Sequence, residues 1–106
     1  MTVCSCYITA GSREEALRIA RALVEERLAA CANLIEGVTS IYRWEGAIQQ
    51  DAEVALLAKT RSDLVPRLTE RVVEMHSYDC PCVVALPIEG GNQAFLDWIA
   101  AETVPA

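Results

Sequence analysis

Between Ala30 and Thr60 the chain carries two long extended runs joined by a single turn, and no other stretch constrains the fold as strongly. The first run passes through Cys31, Asn33 and Ile35, crosses Gly37, and continues through Val38, Ser40, Tyr42 and Trp44. Gly37 is expected to form a bulge or bend. Trp44-Glu45-Gly46-Ala47 supplies the turn, and Ile48 to Thr60 returns with a nearly all-apolar centre, Val54-Ala55-Leu56-Leu57-Ala58. A typical strand is about five or six residues long, so arms of this length overhang a small sheet. Overhanging arms expose unpaired N–H and C=O groups, a liability unless another chain pairs with them. Arm length therefore predicts strand pairing between subunits. The alternative is that part of 45–53, with Gln49-Gln50-Asp51, is a loop.

The flanking segments supply the rest of one domain, expected over 1–106. Residues 3–10 read as a first strand, with Cys4, Cys6 and Ile8 on one face. Ser12 followed by Glu15 is a capping-box pattern, and Ala16, Ile19, Ala20, Leu23, Val24 and Leu28 recur at helical spacing, predicting a helix from about 13 to 28. Asp63 is expected to cap a second helix with Pro66 in its first turn and Val65, Leu68, Val72 and Met75 as its inner stripe. Residues 83–88 form a strand that Pro87 places at an edge or near its end. Asn92 caps a short last helix bearing Phe95, Leu96, Trp98 and Ile99. The order β-α-β-β-α-β plus a terminal helix is that of an α+β, ferredoxin-like domain with two helices on one face of an antiparallel sheet.

Nine Lys and Arg against fifteen Asp and Glu give a formal charge of -6, without a basic cluster, which argues against nucleic acid as a partner. An apolar share of 53% is high for so small a domain and fits a buried subunit interface. The first residues lack a positive n-region and a long apolar core, and no apolar run approaches a membrane span, so no membrane is expected and the cytoplasm is the expected compartment. Five cysteines in a reducing compartment are expected as free thiols, available as ligands.

Ligand atoms are densest from His76 to Cys82, His-Ser-Tyr-Asp-Cys-Pro-Cys. Imidazole nitrogen and thiolate sulfur suit borderline and soft metals. The competing reading is a plain helix-to-strand link, with His76 near a helix C-terminus and small cysteines packed inside. Lys59 follows an apolar strand and would attract an anion at a pocket wall. Neither an orienting group for a Cys–His pair nor a phosphate-cradling loop is present, and no enzymatic role is expected.

Four separated stretches then carry a resemblance over essentially the whole chain: Leu28-Ala29-Ala30-Cys31-Ala32-Asn33, Ser40-Ile41-Tyr42-Arg43-Trp44-Glu45-Gly46, Lys59-Thr60, and His76-Ser77-Tyr78 with Pro81, followed by Trp98. With these the sequence resembles the CutA family of divalent-cation tolerance proteins. The resemblance implies a tight homotrimer whose long hairpin pairs across subunits, and divalent metal, copper above all, as ligand. It also implies a likeness to the trimeric nitrogen-regulatory PII proteins, hence a rival role in binding a small molecule or partner protein between subunits. For that role Lys59, Tyr78, Trp44 and Trp98 are the expected pocket. For the metal role His76, Cys80, Cys82 and, less directly, Cys31 are the expected ligands. Where the family usually has a glutamate after the proline, this chain has Cys82, a soft sulfur in place of a hard oxygen.

Overall fold

The computed structural model describes residues 2–103; Met1 and residues 104–106 of the expected domain lie outside the described residues. Strand β1 (Val3–Ala10) leads to helix α1 (Arg13–Glu25), and the hairpin follows as β2 (Cys31–Trp44) and β3 (Ala47–Arg61). Helix α2 (Val65–Met75), strand β4 (Val83–Pro87) and helix α3 (Gln93–Glu102) complete the chain. The strands form one sheet in the order β2-β3-β1-β4, all pairs antiparallel. This is the expected α+β architecture, and it leaves β2 and β4 as its two open edges.

The hairpin arms are 14 and 15 residues long, and the 45–53 stretch is strand rather than loop outside the turn itself. Glu45 and Gly46 both take positive φ, 50° and 79°, the backbone twist that a two-residue hairpin turn requires. Pairing runs from Cys31↔Lys59 to Trp44↔Ala47, interrupted between Ile35 and Val38, where Gly37 with φ 79° makes the bulge. The arms extend far beyond the core, giving the chain dimensions of 44 × 25 × 22 Å. Ile41 and Ile48 near the tip are 68% and 62% exposed.

The core sits between the sheet and the helices. Cys4, Cys6, Ile8 and Ala10 of β1 and Val54, Leu56 and Ala58 of β3 face Ala16, Ile19, Ala20 and Leu23 of α1 and Leu68 and Val72 of α2. Strand alternation on the one side and the 3.6-residue stripe on the other bring these positions together. A smaller cluster joins Val3 and Ala30 to Ile99 of α3.

Two helix ends differ from expectation. Helix α1 stops at Glu25, short of 28, because Arg27 enters the left-handed region at φ 61° and the Leu28 N–H bonds back to the Leu23 carbonyl at 2.9 Å. The Arg27 guanidinium then reaches the Ala101 and Glu102 carbonyls at the end of α3, where a cation suits the helix dipole. Asp63 does not cap α2. It lies in a 3-10 turn, Ser62–Leu64, and its carboxylate is drawn into two bonds with Arg61 at 2.7 and 3.0 Å. Among the described residues no helix is long and apolar enough to cross a membrane.

Candidate functional site

The link from His76 to Cys82 is pinned by its own His76 and by two carboxylates from elsewhere in the fold, Glu15 and Glu53. His76 ends α2, its N–H bonded to the Val72 carbonyl at 2.9 Å, and its ring is fully buried. Its Nε2 lies 2.7 Å from the Thr9 carbonyl, which can only accept, so Nε2 carries the proton. Nδ1 accepts the Tyr78 N–H at 3.1 Å.

Glu15 holds the next residue. Ser12 Oγ accepts the Glu15 N–H at 3.2 Å, which is half of the expected capping box. The Glu15 carboxylate takes the Ser77 N–H at 2.8 Å and the Ser77 hydroxyl at 3.0 Å, although Glu15 is only 6% exposed. Burial works against its ionisation, yet the bonds from Ser77 outweigh that and hold its carboxyl below the usual range.

The third anchor is Glu53 of β3, whose Oε2 accepts the Tyr78 hydroxyl at 2.7 Å. Burial and then this bond push the Tyr78 phenol well above its ordinary value. The Tyr78 ring stacks at a tilt on His76, centroids 4.5 Å apart, and a Cβ at Gly11 would come within 3.3 Å of its hydroxyl.

So fixed, the link forms one wall of a cleft of about 610 Å³. Tyr42 and Trp44 of the outer hairpin arm form another wall, Tyr7 and Thr9 of β1 a third, and Glu53, Asp79, Cys80 and Cys82 contribute to the lining. Tyr42 bonds to the Asp51 carboxylate, which raises its phenol pKa. Cys80 is exposed and Cys82 half-buried, and burial followed by Glu53 pushes the Cys82 thiol up.

The expected site residues divide between the two ends of the sheet. Trp44, Tyr78, Cys80 and Cys82 meet in the cleft, whereas Lys59 does not line it. Lys59 stands opposite Ser5 and Cys31, four residues along β1 from Thr9, or roughly 13 Å at the rise of a strand. Its ammonium bonds to Asn33. Trp98 lies on α3 beside Phe95, ring centroids 5.4 Å apart, also away from the lining.

The expected metal ligands are likewise not all brought together within one chain. Cys31 is at the Lys59 end of β2, and both ring nitrogens of His76 are engaged in hydrogen bonds. Among the described residues no three His, Cys, Asp or Glu side chains converge as a metal site. The Cys80 and Cys82 pair shares the cleft. Glu15, Glu53 and Tyr42 were not among the expected site residues. The capping-box pattern did single out Glu15, for a different reason.

A four-stranded antiparallel sheet with hairpin arms more than twice the ordinary strand length, together with three helices, defines a small α+β domain. Residues 4–102 match the family described as CutA1 divalent ion tolerance protein, and the chain belongs to that family, whose members are not enzymes. It is 53% identical over 96 residues to the divalent-cation tolerance protein CutA of Thermus thermophilus, covering 91% of this chain and 93% of that one. It is 46% identical over 97 residues to "Protein CutA 1, chloroplastic" of Oryza sativa, covering 92% of this chain but 55% of that one. The solved structure of the periplasmic divalent cation tolerance protein CutA from Archaeoglobus fulgidus superposes with a TM-score of 0.91 at 46% identity, covering 94% of this chain and 97% of that one.

Proposed function

We propose that the chain serves the response to metal ions as a homotrimer, and that Cys80 and Cys82 bind copper or another soft metal at the cleft. The observation that carries this reading is that both thiols line one cleft on either side of Pro81. Two thiolates suit Cu(I), a soft ion that accepts few ligands, better than a hard divalent cation that needs several oxygens. The raised Cys82 pKa means that binding releases a proton. All five thiols are free, and we place the protein in the reducing cytoplasm, where they persist, although the relatives above include proteins described as chloroplastic and periplasmic. Competition titration of the reduced protein with Cu(I) tests the site: loss of a stoichiometric equivalent in Cys80→Ser and Cys82→Ser supports it, and unchanged stoichiometry and affinity in both removes it.

Trimerisation is supported by the two open edges and by the exposed apolar hairpin tip, which pairing with a neighbour would cover. Light scattering at micromolar concentration should give the mass of three chains; a monomer would sink the proposal.

A second reading is favoured by the cleft itself. Its volume lies within the ordinary range for small-molecule sites, and it combines aromatic walls with a few polar anchors. On this reading the chain is a PII-like module that signals by ligand or partner binding. Thermal-shift screening in chelated buffer tests it, since a ligand that binds only the folded state raises Tm.

A further inference from the structure

Resting on the metal reading above, we propose that Glu15 is a positioning residue for the Cys80 and Cys82 thiol pair: by clamping Ser77, its carboxylate fixes the segment from which Cys80 reaches the metal. The clamp is made within one chain. Oε2 accepts the Ser77 N–H at 2.8 Å and Oε1 the Ser77 hydroxyl at 3.0 Å, and Glu15 is buried by its own chain alone. These bonds therefore do not depend on which outer faces a neighbouring copy covers.

The position of Ser77 along the link gives the clamp its reach. Upstream, the link is fixed at His76, Ser77 and Tyr78 by the Thr9 carbonyl, Glu15 and Glu53. Downstream, it is fixed where β4 begins, with Val83 paired to Ile8. Cys82 adjoins that second point, its Sγ 4.0 Å from the Tyr7 carbonyl. Cys80 lies between the two points, and Pro81, whose ring locks φ, leaves little freedom to correct a displacement that begins at Ser77. An ion held by two thiolates of one short segment binds tightest when the segment is already ordered, since freedom lost on binding weakens affinity.

Glu15 is itself rigidly placed. It belongs to the first turn of α1, which Ser12 caps and whose Ala16 and Ile19 are fully buried. The link is thereby tied to a helix in the core rather than to another loop. Both bonds are charge-assisted, and they take the main chain and the side chain of one residue. Arg18 stands 4.0 Å from Oε2 with its side chain 60% exposed, so the Ser77 donors, rather than an ion pair, hold the carboxylate.

The test measures Cu(I) affinity by competition with a chromogenic chelator, on the reduced protein in its native assembly. Glu15→Ala is expected to weaken Cu(I) about tenfold, the low end for groups that orient metal ligands, with stoichiometry retained. Glu15→Gln, which keeps the shape but not the charge, should lose about threefold, and it decides the matter if Glu15→Ala does not fold. Because Glu15 acts through Ser77, the losses in Glu15→Gln and Ser77→Ala should not add in the double variant. Thr60→Val is the destabilised control: it loses a buried bond to the Leu28 carbonyl at the Cys4 end of β1, and should bind Cu(I) as wild type does. Unchanged affinity in the folded Glu15 variants, additive losses in the double variant, or an equal loss in Thr60→Val overturns the positioning role and leaves the metal site intact. A wild type that does not bind Cu(I), or binding that survives both Cys80→Ser and Cys82→Ser, overturns the metal site and the positioning role with it.

Discussion

Replacing Glu15 by Gln tests whether the link is held by charge. The carboxylate takes two donors from Ser77, the N–H at 2.8 Å and the hydroxyl at 3.0 Å, in a site where Glu15 is only 6% exposed. Glutamine keeps the shape. Its oxygen can accept the N–H, and its NH2 can donate to the hydroxyl, which rotates to receive it. What is lost is the charge on both bonds. Hydrogen bonds to a charged group contribute about 1.5–3 kcal/mol and neutral ones about 0.5–1.5, so the difference is about 1 kcal/mol for each bond and about 2 for the pair. For a domain of this size that corresponds to a fall in Tm of about 8–16 °C at fixed protein concentration. The pH dependence gives a second readout. The folded-state pKa of Glu15 lies below its unfolded value of 4.5, so its contribution is complete above that pH and disappears as pH falls through the lower, folded value. Wild type and Glu15→Gln should therefore differ at pH 7 and converge in acid. Urea denaturation across that range measures both, and a variant within about 0.5 kcal/mol of wild type at pH 7, or a gap that does not close in acid, refutes the reasoning.

Other consequences can be measured on the same protein. With a neutral thiol reagent Cys80 should react first, Cys82 more slowly because burial and Glu53 raise its pKa, and Cys4 and Cys6 only on unfolding, since both are buried and Cys6 is pushed up to about 12; mass spectrometry of the labelled peptides over time reads the order. Thr60→Val deletes a buried 2.6 Å bond from Oγ1 to the Leu28 carbonyl and leaves that oxygen without its side-chain partner, for an expected loss of about 1–3 kcal/mol by denaturant titration. Tyr42 and Tyr78 should ionise above pH 10 in the folded state, and ultraviolet titration of Tyr78→Phe should lose the higher-titrating phenolate. Because both folded-state values are raised, their contribution is complete below pH 10 and is lost as pH rises through the folded values.

Local chemistry made the architecture readable in the sequence. The bulge at Gly37 and the turn ending in Gly46 follow from glycines, which take positive φ without strain, and Asn92 caps α3 through the Ala94 N–H at 3.1 Å as its side chain predicts. Where local rules failed, a side-chain partner had intervened, two residues away for Asp63 and far along the chain for Arg27. Asp63 fits a cap but is taken by Arg61, and α1 ends early at Arg27, whose side chain serves the end of α3, 74 and 75 residues away. The candidate site was less legible for the same reason. Glu15 reaches Ser77 across 62 residues and Tyr78 reaches Glu53 across 25, so neither bond leaves a spacing to detect. Within one chain Lys59 and Trp98 lie apart from Tyr78, whereas the pocket expected of them lies between subunits; a strand's sequence does not say which end of its neighbour it will face. The pairing of Lys59 with Ser5 decides that.

The two outer strands have a consequence for how copies of this chain add together. They are unlike: β4 is five residues long and ends at a proline, whereas β2 runs for fourteen and is mostly free of the core. Unlike faces join head to tail, and head-to-tail addition either returns to its starting point as a ring or continues without limit as a filament. In the trimer proposed above, the outcome would depend on the angle between successive copies, to which the bend at Gly37 and the twist of the arms would contribute. A substitution that flattened this bend could thus leave each copy folded and still turn a closed particle into a polymer.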